Sequence, residues 1–246
     1  HMIVAEGLAA SFEAEPQVVA RHFIAAGAIA EAVPYAISAA TRLQDALAHH
    51  RAINLLEQVV DATDDELRLD VLDQLAALYT ATGNVEKTFQ TLKMLSELAP
   101  KRRPLLRARY AQLLTTAREY AKAQEAALST LPQTEDKQVA LRLLSIAADA
   151  AYRLGNLSEA ESLCDTEGYD EVPPSSPEFL SLRNTLGKVF LFREKFDDAE
   201  ALFTLNLGHA KTTRETSHQA KALINLGVVH LQRSAPDDAL EKFEEA

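Results

Sequence analysis

Six times along this 246-residue chain a small residue stands twelve positions ahead of a second residue at a helix-packing position, and five of the six second residues are alanine. The pairs are Ala20 and Ala32, Ala76 and Thr88, Ala111 and Ala123, Ala148 and Ala160, Gly187 and Ala199, and Gly227 and Ala239. From Ala76 onward the first members are separated by 35, 37, 39 and 40 residues. A period of that length predicts a stacked array of helical hairpins in which each hairpin buries its face against the next, with no single closed core. Such an array presents a long concave surface, which favours binding over catalysis.

Helix is expected nearly everywhere. Only 8 Gly and 9 Pro interrupt the 246 residues, and apolar residues recur at helical spacing from about residue 15. Beyond that point adjacent Val or Ile residues are confined to Val18 with Val19, Val59 with Val60 and Val228 with Val229, all inside helical periodicity. A formal charge of -11 repels phosphate backbones, which excludes nucleic acid as a partner of the whole surface. The basic cluster Lys101, Arg102, Arg103, Arg107 and Arg109 reads as a solvated face, with a docking patch for an acidic partner as the alternative. No stretch approaches the length of a membrane span, and the lone Cys164 suits a reducing, cytoplasmic setting.

The turns are encoded locally. Gly83 and Gly155, each followed by Asn, stand where a helix ends in the left-handed conformation, and Arg118 holds the same place in a third copy. Ser234 is expected to cap the last helix, with Pro236 in its first turn and Asp237 near the positive end of its dipole. Capping boxes are expected at Thr63 with Glu66 and at Ser175 with Glu178, where the chain breaks at DATDDE and at DTEGYDEVPPSSPEF. The last hairpin stops at Ala246, so Ala239, Leu240 and Phe243 are expected to lack a covering layer and to offer a surface for self-association.

The small residue, the alanine twelve positions on, and the aromatics Phe190, Phe196, Phe203 and Phe243 resemble the tetratricopeptide repeat, with Pro100 at the position after a hairpin. Thr88 departs from the pattern, and no tryptophan is present. This resemblance implies an all-α, right-handed superhelical solenoid of antiparallel helical hairpins, with five copies over 64–246. The stretch 2–63 is more divergent. Its VARHFIAAGAIAEAVPYAISAA and RAINLLEQVV segments, with the upstream IVAEGLAASF, resemble the region that follows the ATPase module of bacterial signal-transduction ATPases. Ala20, Phe23, Gly27, Ala32 and Tyr35 carry that likeness, which implies a fragment of a longer bacterial regulator. An extra helix near 49–61 is expected to fill the 56 residues between Ala20 and Ala76.

No GK[ST], HExxH, CxxC or GxSxG occurs, so no catalytic residue, metal ligand or cofactor is assigned. The acid pairs Asp64 with Asp65, Asp197 with Asp198 and Asp237 with Asp238 fall at helix starts, where they offset exposed amide dipoles. Cys164 occupies an inward position and is expected to be a buried, inert thiol. In the tetratricopeptide resemblance a partner lies along the inward side of each first helix. The matching positions are Gln112, Arg142, Ser145, Asp149, Tyr152, Arg153, Asn184, Lys188, Phe192 and Asn225. These side chains suit a protein or peptide ligand held by charge-assisted hydrogen bonds. The two-carboxylate clamp of chaperone-binding members does not recur across adjacent copies. A small-molecule effector is the alternative occupant.

Overall fold

The computed structural model describes residues 1–11, 14–63 and 65–246, without the side chains of Asp65 and Glu66. Phe12 at the end of IVAEGLAASF, the Thr63 with Glu66 capping box and the Asp64 with Asp65 pair therefore fall outside the described residues. Among those that are described, all regular structure is helical. The chain forms two compact units, His1–Leu106 and Arg107–Ala246.

The first unit holds α1 (Met2–Ala9), α2 (Pro16–Ala25), α3 (Ile29–Asp45), α4 (His49–Glu57), α5 (Asp65–Ala81) and α6 (Val85–Leu98). Successive helices pack on one another, and α3 also meets α5 across α4. The extra helix expected near 49–61 is α4, followed by a single 3-10 turn at Val60–Ala62. Glu57 ties α4 to the next hairpin by accepting from the Tyr79 hydroxyl at 2.6 Å and the Lys87 ammonium at 2.5 Å. Thr88, the odd member of the alanine series, is buried without penalty because its hydroxyl donates to the Asn84 carbonyl at 2.8 Å.

The second unit is built from α7 (Arg103–Thr116) from Arg107 onward, α8 (Tyr120–Thr130), α9 (Lys137–Arg153), α10 (Leu157–Ser162), α11 (Pro177–Phe192), α12 (Phe196–Thr213), α13 (Thr216–Gln232) and α14 (Pro236–Glu245). Helix α11 packs on its hairpin partner α12 and also on α9 and α13, so the first helices of consecutive hairpins stand side by side. Each unit is thus a helical solenoid of stacked hairpins. All twelve members of the six small-residue pairs are buried. The reason is steric: a Cβ on Gly187 would lie 2.5 Å from the Phe203 ring, itself fully buried. Only glycine lets α11 approach that ring.

One turn geometry recurs in all six hairpins, seven residues after the first small residue. Gly27, Gly83, Arg118, Gly155, Glu194 and Ser234 all have φ between 60° and 83°. The following N–H in each case returns to the carbonyl five residues earlier, as in Asn84 to Tyr79 at 2.8 Å and Asn156 to Ala151 at 2.9 Å. This is the Schellman closure, which satisfies helix-end carbonyls that would otherwise be orphaned. Ser234 consequently does not cap α14; it is the left-handed residue, and Ala235 takes the N-cap position. The cap of α11 is likewise displaced by one residue from Ser175, because the Ser176 hydroxyl accepts from Phe179 N–H at 3.4 Å. At the last hairpin Leu240 is 56% and Phe243 is 38% exposed, whereas Ala239 is fully buried against α13, contrary to its expected exposure.

Candidate functional site

The first helices of the second unit share a polar face. Helix periodicity places Ser145, Asp149 and Arg153 on one row of α9, Ser181, Asn184 and Lys188 on one row of α11, and His218, Lys221 and Asn225 on one row of α13. With Gln112 and Thr115 of α7, these rows line a recess of about 400 Å³ together with Ile146, Thr185 and Ile224.

The centre of the recess is a fixed ionic knot. Asp149 accepts from Lys188 Nζ at 2.7 Å and from Arg153 Nε at 2.7 Å. Burial alone would raise the Asp149 pKa, but the Lys188 ammonium and then the Arg153 guanidinium outweigh it and hold the carboxyl below its usual range. Both cations are braced from behind by aromatic faces. Lys188 Nζ lies 4.7 Å from the Tyr152 ring centre, and the Arg153 guanidinium lies 5.3 Å from that of Tyr120.

Beside the knot, Asn225 Nδ2 donates to Asn184 Oδ1 at 2.6 Å. Each amide has a second half that this bond leaves open, so Asn184 retains an N–H donor and Asn225 a carbonyl acceptor. Farther along, Ser181 Oγ is 3.3 Å from His218 Nε2. Burial, followed by the Lys221 charge, lowers the His218 pKa, so the ring is neutral near pH 7. His218 Nδ1 and Glu215 Oε2 are 3.8 Å apart. That gap exceeds hydrogen-bond reach, so the hydroxyl, imidazole and carboxylate lack the fixed tautomer and orientation that a nucleophilic triad requires.

A second recess of about 280 Å³ adjoins the first through Lys188, which lines both. Its walls are Tyr152, Leu191, Phe192, Glu194, Phe196 and Gln232, and Phe192 is 69% exposed. The ten residues singled out from the sequence therefore separate into three groups. Gln112, Ser145, Asp149, Arg153, Asn184, Lys188 and Asn225 meet in the first recess. Tyr152 and Phe192 meet Lys188 in the second, and Arg142 lines neither. Ser181, His218 and Lys221 were missed, although each continues a selected row toward its helix N-terminus. Cys164 lies away from both recesses; it is buried, donates to the Leu182 carbonyl at 3.5 Å, and has its thiol pKa pushed up to about 12 by burial.

No protein-family model and no curated protein matches the sequence. Solved structures share its fold at low identity. A kinesin light chain from Podosopora anserina with nearly identical TPR-like repeats is 20% identical over 74% of this chain and 96% of its own, with a TM-score of 0.56. A signal-transduction ATPase with numerous domains from Pyrococcus horikoshii, described as having a tetratricopeptide repeat sensor, is 17% identical over 92% of this chain, with a TM-score of 0.62. This chain spans 37% of that protein. A Rap protein complexed with competence and sporulation factor is 14% identical over 87% of this chain and 73% of its own, with a TM-score of 0.59. The structural neighbours are TPR-like repeat proteins, and the fold is a TPR-like helical solenoid.

Proposed function

We propose that this chain is a non-catalytic protein-interaction or sensor segment of a larger cytoplasmic bacterial regulator, and that the groove of residues 107–246 holds an extended peptide. The observation that carries this reading is the Asn184 and Asn225 pair, bonded at 2.6 Å. Its spare donor and spare acceptor are the complement of one peptide unit, whose carbonyl accepts and whose N–H donates. The knot of Asp149, Lys188 and Arg153 holds the neighbouring side chains in place before a ligand arrives, which lowers the entropy cost of binding. Gln112, Ser145, Tyr152 and Phe192 extend the contact surface, and Arg142 flanks it.

A ligand-bound Rap protein and an ATPase with a TPR sensor among the structural neighbours are in keeping with this role. The net charge of -11 argues against nucleic acid, and no helix among the described residues is long and apolar enough to cross a membrane. Regular repeats begin at residue 64 in this reading, and exposed Leu240 and Phe243 give the last hairpin a surface for self-association. A second occupant, a polar small effector, is favoured by one observation: 400 Å³ lies within the range of small-ligand sites. Calorimetry against a random peptide pool and a metabolite pool separates the two. Heat from the peptide pool that disappears in Asn184→Ala supports the peptide reading, and heat from metabolites alone overturns it.

A further inference from the structure

We propose that the occupant of this groove is an extended segment of another protein carrying a carboxylate and, about five residues away, a bulky apolar side chain. The inference rests on the peptide reading above and adds the chemistry that selects the peptide. It begins with a charge imbalance. The first recess contains Asp149, Lys188, Arg153 and Lys221. Asp149 is committed to Lys188 and Arg153, which leaves an excess of positive charge in a molecule whose net charge is -11.

Of the three cations, Lys221 alone is uncommitted. It is exposed and has no ion-pair partner among the described residues, whereas Lys188 and Arg153 each bond Asp149 and face an aromatic ring. The neighbouring His218 has its pKa lowered by burial and by the Lys221 charge, and Asn225 lies on the same row of α13. A carboxylate on the ligand therefore has one place where it gains a full charge partner without displacing an existing one. Within the first recess a ligand cation has no corresponding place, because its one carboxylate, Asp149, is already shared by two donors.

The apolar requirement comes from the second recess. Tyr152, Leu191, Phe192 and Phe196 surround a space large enough for an aromatic or leucine side chain, and the 69% exposure of Phe192 leaves an apolar ring in water until something covers it. Lys188 forms the wall common to both recesses, so one ligand can occupy both.

The spacing follows from the register of α11 and α13. Ser181 faces His218, Asn184 faces Asn225, and Phe192 shares its recess with Gln232, so the two helices run parallel with an offset of 37 to 41 residues. Lys221 to Gln232 is eleven residues, a rise of about 16 Å along the helix axis. An extended peptide advances about 3.3 Å per residue, so about five residues join the two recesses.

The test is a synthetic array of eleven-residue peptides in a Ser/Ala background, each with one Asp and one Phe at separations from one to nine in both orders, probed with the intact chain. Binding is expected to peak at separations of four to six. Lys221→Glu, at an exposed position that folding does not use, is expected to weaken the best peptide at least about tenfold, and Phe192→Ala to remove the preference for Phe over Ala. Replacing Asp by Lys in the peptide should abolish binding. Equal binding at all separations, or an undiminished affinity in Lys221→Glu, overturns the inference. A parallel phage selection from random peptides distinguishes the two levels: selected peptides that need Asn184 and Asn225 but carry no such acid and apolar pair overturn only this inference, and failure to select any peptide overturns the groove reading with it.

Discussion

Gly187 and Gly227 occupy the same place in successive hairpins, yet they differ in what an added methyl would meet. At Gly187 the obstacle is Phe203, which is fully buried and has nowhere to move. At Gly227 it is Phe243, which is 38% exposed and can swing outward. Gly187→Ala is therefore expected to lose roughly 1–3 kcal/mol by overpacking, and Gly227→Ala clearly less, as read from paired urea melts. Equal losses would mean that the Phe203 side chain is freer than its burial implies. Asp149 gives a pH prediction. Its folded pKa is depressed, so its contribution to stability is fully present above the ordinary aspartate value of 3.8 and is lost as pH falls through the lower folded value. Asp149→Asn should cost about 1–3 kcal/mol at pH 7, and the gap from the parent protein should close below pH 4. A gap independent of pH would show that Asp149 acts through shape alone. The small residues were legible in the sequence because packing tolerates nothing larger at those positions. The identity of their obstacles was not, since Phe203 and Phe243 are sixteen residues away on a different helix.

At the scale of the element, the turn carries more information than its residues display. Three of the six hairpin turns have glycine at the left-handed position and three have Arg118, Glu194 or Ser234. The same closure forms because tertiary packing of the flanking helices overrides a local cost of about 1–2 kcal/mol for a residue with a Cβ. Glu194→Gly and Ser234→Gly are accordingly expected to raise stability by roughly 0.5–1 kcal/mol, and Gly155→Ala to lower it by about 1. Thermal melts check both signs; a loss in the glycine variants would show that the Glu194 or Ser234 side chain makes a compensating contact. Glycine at Gly83 and Gly155 made their turns readable, whereas Ser234 reads as a cap by composition and is a left-handed residue in the fold. The groove rows show the same limit. Asn184, Lys188 and Asn225 fall at positions that the tetratricopeptide resemblance marks as the inward side of a first helix, while Ser181, His218 and Lys221 lie one turn closer to the helix starts, where polar residues are common for capping and solvation and so carry little signal.

Across the molecule, burial is uneven in a way that a repeat array permits, since each layer is stabilised only by its neighbours. Ten of the 17 residues of α9 are buried, against one of the ten in α14. Hydrogen exchange should therefore be slowest in α9 and fast in α14, with intermediate values between. Uniform protection would indicate a single cooperative core in place of stacked layers. The helical solenoid was legible from one period and six spacings, but the content of the groove required the structure, because a row of side chains on α9, α11 and α13 becomes a site only when the three helices stand in register. The most direct measurement of that site is the affinity of library-selected peptides for the parent chain and for the Asn184→Ala, Asn225→Ala double variant, with melting temperature followed alongside. The account predicts a loss of at least tenfold in affinity, about 1.4 kcal/mol, with the fold intact. Unchanged affinity in the double variant would contradict it.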